Sequence, residues 1–553
     1  MTELQANGGS RRHVILYAVV GSLAGFLFGF DTIVISGAEQ QIQTLWRLSG
    51  FTHGICMSAA LWGTVLGAVL GGWPAEKFGR RQTLLWVGLL YFVSAMGSGL
   101  APERYSFIVA RFIGGLGVGV ATVASPMYIS EIAPPKLRGV LAGLFQFNIV
   151  FGILVAFVSN SLIGGLAKDI APDSQLWIAG YFNTEAAWRW MLGIEALPAF
   201  AYTLLCFVIP ESPRWLITHG GRREAGTEVF RRINPGMSEV QINELVERVA
   251  ASVGDRATAA KFFTPRLRIP ILLAFLIAMF NQLSGINAIL YFAPRLLGLA
   301  GISNPLSASV GIGLTNLVFT FVGLGLIDRL GRKTLLLIGS IGYIASLAVC
   351  AFAFLSYPGF KVVSRAIDVE KRAEQVLDLP DAPLTPAEKE EVRREYANAQ
   401  KDLAAATALD GYAGQPADLP EDAAPVAVQA RAAEIKAEAS ELLGPKSYLV
   451  LISIMAFIAA HAVGQGTVIW VFISEIFPNR NRAAGQALGS STHWVFAALI
   501  TLFFPIAIRA FDAGALFGFF CLMMCLQLVW VIVMVPETKG VPLEEMQKKL
   551  GIE

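Results

Sequence analysis

Glu76-Lys77-Phe78-Gly79-Arg80-Arg81 is answered far along the chain by Asp328-Arg329-Leu330-Gly331-Arg332-Lys333. Each copy runs acid, base, apolar residue, glycine, arginine, base. A second pair of signals follows the first in both places: Glu131 with Arg138, and Glu475 with Arg482, each seven residues apart. The chain therefore reads as two related halves. The halves differ in length: 51 residues separate Arg80 from Glu131, but 143 separate Arg332 from Glu475. The second half thus carries an insertion of about 92 residues relative to its own template. A charged, Ala- and Pro-rich stretch at 357–446 locates it.

Around these motifs the chain is apolar. Hydrophobic residues make up 55% of its 553 residues and charged ones 15%, where soluble domains carry about a quarter charged. Mean hydropathy is +0.58. The apolar residues come in runs long enough to cross a bilayer as helices, at roughly 14–37, 51–75, 82–101, 105–130, 139–166, 187–210, 268–297, 305–327, 334–356, 447–474, 484–510 and 514–535. The fold class is an all-α membrane protein with twelve transmembrane helices. Residues 1–210 read as one six-helix bundle, 211–267 as a polar central loop, and 268–553 as a second six-helix bundle that carries the insertion. The first run is no signal peptide, being long, interrupted by Asp31 and without a small-residue cleavage site.

Basic residues orient the chain. Lys77, Arg80 and Arg81, then Arg329, Arg332 and Lys333, lie on one side if the spans alternate, and the central loop joins them there. That side is expected to be cytoplasmic, with both termini, in a plasma membrane of bacterial inner-membrane type. The insertion then lies outside; its 17 acidic and 11 basic residues suit that face. Thr385-Pro386-Ala387-Glu388 reads as a capping box opening a helix striped by Val392, Tyr396, Ala399 and Leu403. A second Ala/Glu-rich helix is expected to end near Gly444-Pro445. Whether the pair docks or stays solvated is open at this level.

Several chemistries are excluded. A net charge of +2 without a long basic tract gives no nucleic-acid signal. The five cysteines show no CxxC and no secreted framework, so packing is their expected role. Gly114-Gly-Leu-Gly-Val-Gly119 follows no strand and precedes no P-loop lysine; close helix packing explains it better than a nucleotide loop. No metal-ligand spacing and no nucleophile–base constellation appears, so no cofactor, metal or enzymatic role is expected.

Arg80, Glu131, Arg138, Asp328, Arg332, Glu475 and Arg482, with Glu211 and Arg214 of Pro210-Glu-Ser-Pro-Arg-Trp215, sit where spans meet the basic face. Interhelical ion pairs and bonds to helix-terminal carbonyls are within their reach. A partly buried latch of this kind biases a two-state equilibrium; simple topogenic charge is the alternative. With Gly-Arg-Arg after span two, Gly-Arg-Lys after span eight and Pro536-Glu-Thr-Lys-Gly540 at the end, the set in order resembles the signatures of the sugar porter family of the major facilitator superfamily. The resemblance covers nearly the whole chain except the insertion. It implies the major facilitator fold, two six-helix bundles around a central sugar site, and alternation between inward- and outward-open forms.

The family's sugar-binding positions carry over onto Gln146, Gln282, Asn287, Tyr291, Trp470 and Trp494. Asn281 departs by one methylene from the usual glutamine, and His493 replaces the usual amide. The chemistry stands without the family. Amides offer donor and acceptor together, and indole rings offer a flat apolar surface to a sugar's C–H face. A lone membrane Gln or Trp is more often packing or an interfacial belt; Gln282 and Asn287 five apart on one span favour a site. His493 either substitutes for the amide as a neutral ring or makes binding pH-sensitive.

Asp31, inside the first span, is the candidate for energy coupling, since an intramembrane acid is a functional group by default. The resemblance pairs it with Arg111 of span four, as in proton-coupled members; Glu195 of span six is a second buried acid. A permanently ionised structural pair is the alternative. The expected activity is monosaccharide–proton symport by a monomer in a lipid bilayer. An uncoupled facilitator is the first rival, and a non-transporting sugar sensor a distant one.

Overall fold

The structure is a computed structural model that describes residues 2–134, 137–170, 180–219, 221–234, 236–251, 262–380, 385–419 and 423–552, with only the backbone described at 2–11, 138, 139, 142, 388 and 543. In hydrocarbon a chain must satisfy its peptide groups internally, which leaves helices as the solution for these apolar runs. Nine helices among the described residues are long and apolar enough to cross a membrane. The longest, Arg482–Met534, is two spans joined across Asp512, whose φ of 59° departs from helical geometry. Arg80–Gly99 and the broken pair Ala187–Gly193 and Ala196–Leu205 complete twelve.

The first span (Thr2–Leu45) packs along the fifth (Arg138–Lys168), and the second (Gly50–Leu70) along the fourth (Arg104–Ile132). The latter contact runs through the glycine cluster: a Cβ at Gly115 would lie 1.8 Å from the Ala60 carbonyl oxygen, and one at Gly119 2.4 Å from that of Thr64. Two seams join the halves. The second span meets the eleventh where Gly54 lies against Leu502, and the fifth meets the eighth (Pro305–Leu330), where Ser161 and Ser307 share a hydrogen bond of 2.9 Å.

Besides the sixth, spans seven and ten are discontinuous. The seventh runs Arg268–Leu283, Ile286–Tyr291 and Ala293–Leu299, its first break made by Gly285 in the left-handed region at φ 87°. The tenth runs Pro445–Val463 and Gln465–Ile476, broken at Gly464.

The central loop folds into short helices, Pro213–Thr218, Arg223–Ile233 and Glu239–Ala251. Val229, Phe230, Ile242 and Val246 pack into the same core as Tyr17 and Tyr128 of the first half. The insertion contains three helices rather than two: Pro358–Leu377, Pro386–Thr407 and Pro425–Leu443. The extra one continues beyond Ser356 after a kink at Tyr357, where Pro358 restarts the helix. Tyr396, Ala399 and Leu403 of the expected stripe are buried; the side chain of Glu388 lies outside the described residues. The insertion docks: Arg365 donates to Asp512 Oδ1 at 3.0 Å, and Arg47, between the first two spans, donates to the Asp378 carbonyl at 3.2 Å.

Candidate functional site

Three layers of polar residues lie along the seam between the halves and at its ends. At the basic face the repeated motifs build two copies of one device. Arg80 bonds Glu131 Oε1 at 3.0 Å, while Ser212 donates to Glu131 Oε2 at 2.5 Å. In the second half Arg332 bonds Glu475 Oε1 at 2.8 Å, and Thr538 donates to Glu475 Oε2 at 2.6 Å. Arg332 also reaches Asp328 at 3.2 Å.

Glu211 accepts the backbone N–H groups of Arg80 and Arg81, capping the third span with a carboxylate; Glu537 does the same for Arg332 and Lys333. The conserved geometry explains the glycine of each repeat. Gly79 has φ 99° and Gly331 φ 92°, and a Cβ would sit 2.4 Å from Glu211 Oε2 and 2.5 Å from Glu537 Oε2 respectively. The two carboxyls differ electrostatically. Burial raises Glu211 above the usual carboxylate range despite its amide donors. At Glu537 burial also opposes ionisation, but the amides of Lys539, Arg332, Lys333 and Thr538 prevail and lower it.

Each latch closes within its own half. Glu537, Ser212 and Thr538 were missing from the candidate residues, although all lie in the Pro-Glu motifs already singled out. The structure leaves two candidates outside the device: Arg214 is exposed, and Arg482 Nε has no hydrogen-bond partner among the described residues. The Arg138 side chain lies outside the described residues.

The middle layer holds both sets of candidates. Asp31 is buried and accepts from Arg111 twice: Nη1 to its Oδ1 at 2.6 Å and Nη2 to its backbone carbonyl at 2.9 Å. Glu195, at the joint of the broken sixth span, is buried against the Asp31 carboxyl group. Both Glu195 oxygens, Asp31 Oδ2 and the Tyr91 hydroxyl have no hydrogen-bond partner among the described residues. Two carboxyl groups thus face one guanidinium. Tyr291, at the end of the middle segment of span seven, is buried beside Thr32 and close to the Arg111–Asp31 pair.

Next to it, Asn281 and Gln282 end the first segment of span seven. Gln282 Nε2 lies 3.0 Å from Asn281 Oδ1 and 3.1 Å from His493 Nε2. The His493 ring is 5.4 Å from that of Trp470 and 4.8 Å from that of Trp494. Trp494 in turn meets Phe28 of the first span at 5.6 Å. Gln282 Oε1 and Asn287 Nδ2 have no partner among the described residues. Gln146 is half-buried on the fifth span, outside this bonded cluster. Gln465, buried at the break of span ten with neither amide atom bonded among the described residues, is a residue that sequence reasoning passed over.

The third layer was also passed over. Near the far end of the first span Glu39 is fully buried; Arg295 of span seven donates to it at 2.8 and 3.0 Å and to Gln43 at 2.6 Å. His53 stands 3.3 Å from Glu39. These bonds tie the two halves together at the face opposite the Gly-Arg turns. The available signal was a charge on each of two apolar spans.

The family described as Sugar (and other) transporter matches residues 17–367 and 433–550. The chain belongs to that family. The match skips 368–432, within the insertion, and makes the protein a multi-pass membrane transporter rather than an enzyme. The arabinose–proton symporter of Bacillus subtilis is 28% identical over 97% of this chain and 94% of its own. The glucose transport protein of Synechocystis is also 28% identical, over 97% of each. Among solved structures, an inward-open conformation of the xylose transporter from E. coli superposes with a TM-score of 0.69 at 26% identity, covering 97% of this chain and 99% of that one.

Proposed function

We propose that the protein carries a monosaccharide, a hexose or pentose, together with a proton by alternating access between its two six-helix halves. The observation that carries the coupling is the buried set Asp31–Arg111–Glu195. One guanidinium balances one carboxylate, and a single proton between Asp31 and Glu195 balances the other. Fully ionised, the set leaves a net negative charge in a medium that penalises it by several kcal/mol or more. Proton binding therefore changes the charge of a group that contacts both the first span and, through Tyr291, the discontinuous seventh.

Sugar binding is assigned to Gln146, Asn281, Gln282, Asn287, Tyr291, Trp470, His493 and Trp494. Buried amide atoms without protein partners are costly, and sugar hydroxyls satisfy both donors and acceptors. The aromatic surfaces of Trp470 and Trp494 offer a C–H face its complement. Breaks in spans seven and ten beside these residues match how transporter sites are built where helices unwind. Relatives named for arabinose–proton symport and glucose transport support the substrate class.

The intact Glu39–Arg295 tie favours a state closed at that face, in keeping with the likeness to an inward-open transporter. The basic turns support a cytoplasmic Gly-Arg face with both termini on the same side; a bacterial inner membrane and a monomeric functional unit are part of the proposal. The test is proteoliposome uptake of labelled pentoses and hexoses with an imposed or collapsed proton gradient. Uphill accumulation with sugar-triggered external alkalinisation is expected. Saturable equilibration indifferent to the gradient would make the protein a facilitator and Asp31 a structural partner of Arg111.

A further inference from the structure

The insertion docks and also borders an open cleft. Between its first and third helices and the end of the first span lies a cavity of about 550 Å³, within the ~300–1,000 Å³ range of small-molecule sites. Of its lining, Gln40, Glu374 and Val426 are exposed, while Arg295 and Lys371 are half-buried. From the geometry of this space we infer a second binding site, for a neutral polyhydroxylated solute of sugar size, an antechamber at the closed end of the transport path. The inference rests on the sugar reading above.

Charge decides the ligand class. Arg295 is neutralised by Glu39, and Glu370 by Lys436 at 2.6 Å. Lys371 and Glu374 remain, one of each sign, and neither makes an ion pair among the described residues. The lining is thus balanced, which disfavours an anion or a cation. The Lys371 amine, the Glu374 carboxyl group and the amides of Gln40 and Gln429 suit hydroxyls. Val426, Ala430 and Ala433 on the insertion's third helix and Ile367 on its first add apolar surface to the lining. A lining that mixes hydroxyl-binding groups with apolar surface is the chemistry of a pyranose. An occupant would also touch Arg295, the cation that ties the halves together, so binding here is coupled to opening of that face.

The test uses the full chain purified in detergent, with labelled D-glucose and D-xylose as probes in equilibrium binding. The wild type is expected to bind two equivalents, one weaker than the other. Ala433→Trp, which fills the cavity from the insertion side, is expected to abolish the weak class and keep the tight one. Gln282→Ala is expected to weaken the tight class about tenfold or more and spare the other. Gln40→Ala with Gln429→Ala repeats the cavity test without added bulk, and melting curves check folding. A single class of site in the wild type, or an unchanged weak class in both cavity variants, overturns the antechamber while leaving the central site standing. No binding of either sugar in any variant overturns the sugar reading and this site with it.

Discussion

Arg295 of the seventh span holds Glu39 of the first through two hydrogen bonds, at 2.8 and 3.0 Å, across the boundary between the two halves. The latches at the opposite face, Arg80–Glu131 and Arg332–Glu475, each stay within one half. The bonded contacts therefore hold one end of the seam shut and stiffen each bundle at the other.

Removing one partner should shift that balance. Breaking a buried pair by deleting one charge costs about 3–5 kcal/mol, and each ~1.4 kcal/mol is tenfold in population. Arg295→Ala is expected to raise the fraction open at the Glu39 face by about two to three and a half orders of magnitude. Maleimide labelling of a cysteine placed at Gln43 checks it; an unchanged labelling rate contradicts the tie.

The glycine of each repeat should resist substitution more than its neighbours do. Gly79→Ala and Gly331→Ala each force a side chain into left-handed backbone, costing roughly 1–2 kcal/mol, and also displace the Glu211 or Glu537 carboxylate. Both variants are expected to melt below the wild type, by more than Gly165→Ala, where a Cβ meets open space. Equal melting temperatures for all three would remove the carboxylate-cap explanation.

Proton coupling should separate from sugar exchange. Asp31→Asn is expected to abolish sugar-triggered proton uptake in proteoliposomes while sugar–sugar exchange persists. Glu195→Gln, which mimics the protonated form, is expected to leave exchange intact and weaken the pH dependence of uptake. Wild-type proton uptake in Asp31→Asn would end the coupling role.

At the central layer, Gln282 bridges Asn281 and His493. Gln282→Ala removes that bridge as well as a ligand contact; a loss of about 1–3 kcal/mol for groups left unsatisfied corresponds to sugar affinity weaker by roughly one to two orders of magnitude. Isothermal titration measures it. Gln146 stands outside the bonded cluster, so Gln146→Ala is expected to weaken affinity less.

Much of the architecture was legible because membrane helices are written locally. Apolar length sets the spans, and the repeated Gly-Arg motif relates the halves. Asp31 and Arg111 stood out singly as charges in apolar runs, and the resemblance paired them. Glu39 and Arg295 carried the same signal, but no local pattern links two residues 256 positions apart.

The sequence alone determined a two-part helical membrane protein with an inserted segment, because backbone satisfaction in hydrocarbon and side-chain hydropathy act over one span at a time. Tertiary structure decided what lies between spans. It brought Glu195 against Asp31, placed His493 beside Gln282, and set Glu537 rather than Arg482 into the second latch. It also docked the insertion over Arg295. Those outcomes depend on helix rotation, on breaks at Gly285 and Gly464, and on which carboxylate a buried cation meets, none of which is encoded in spacing along the chain.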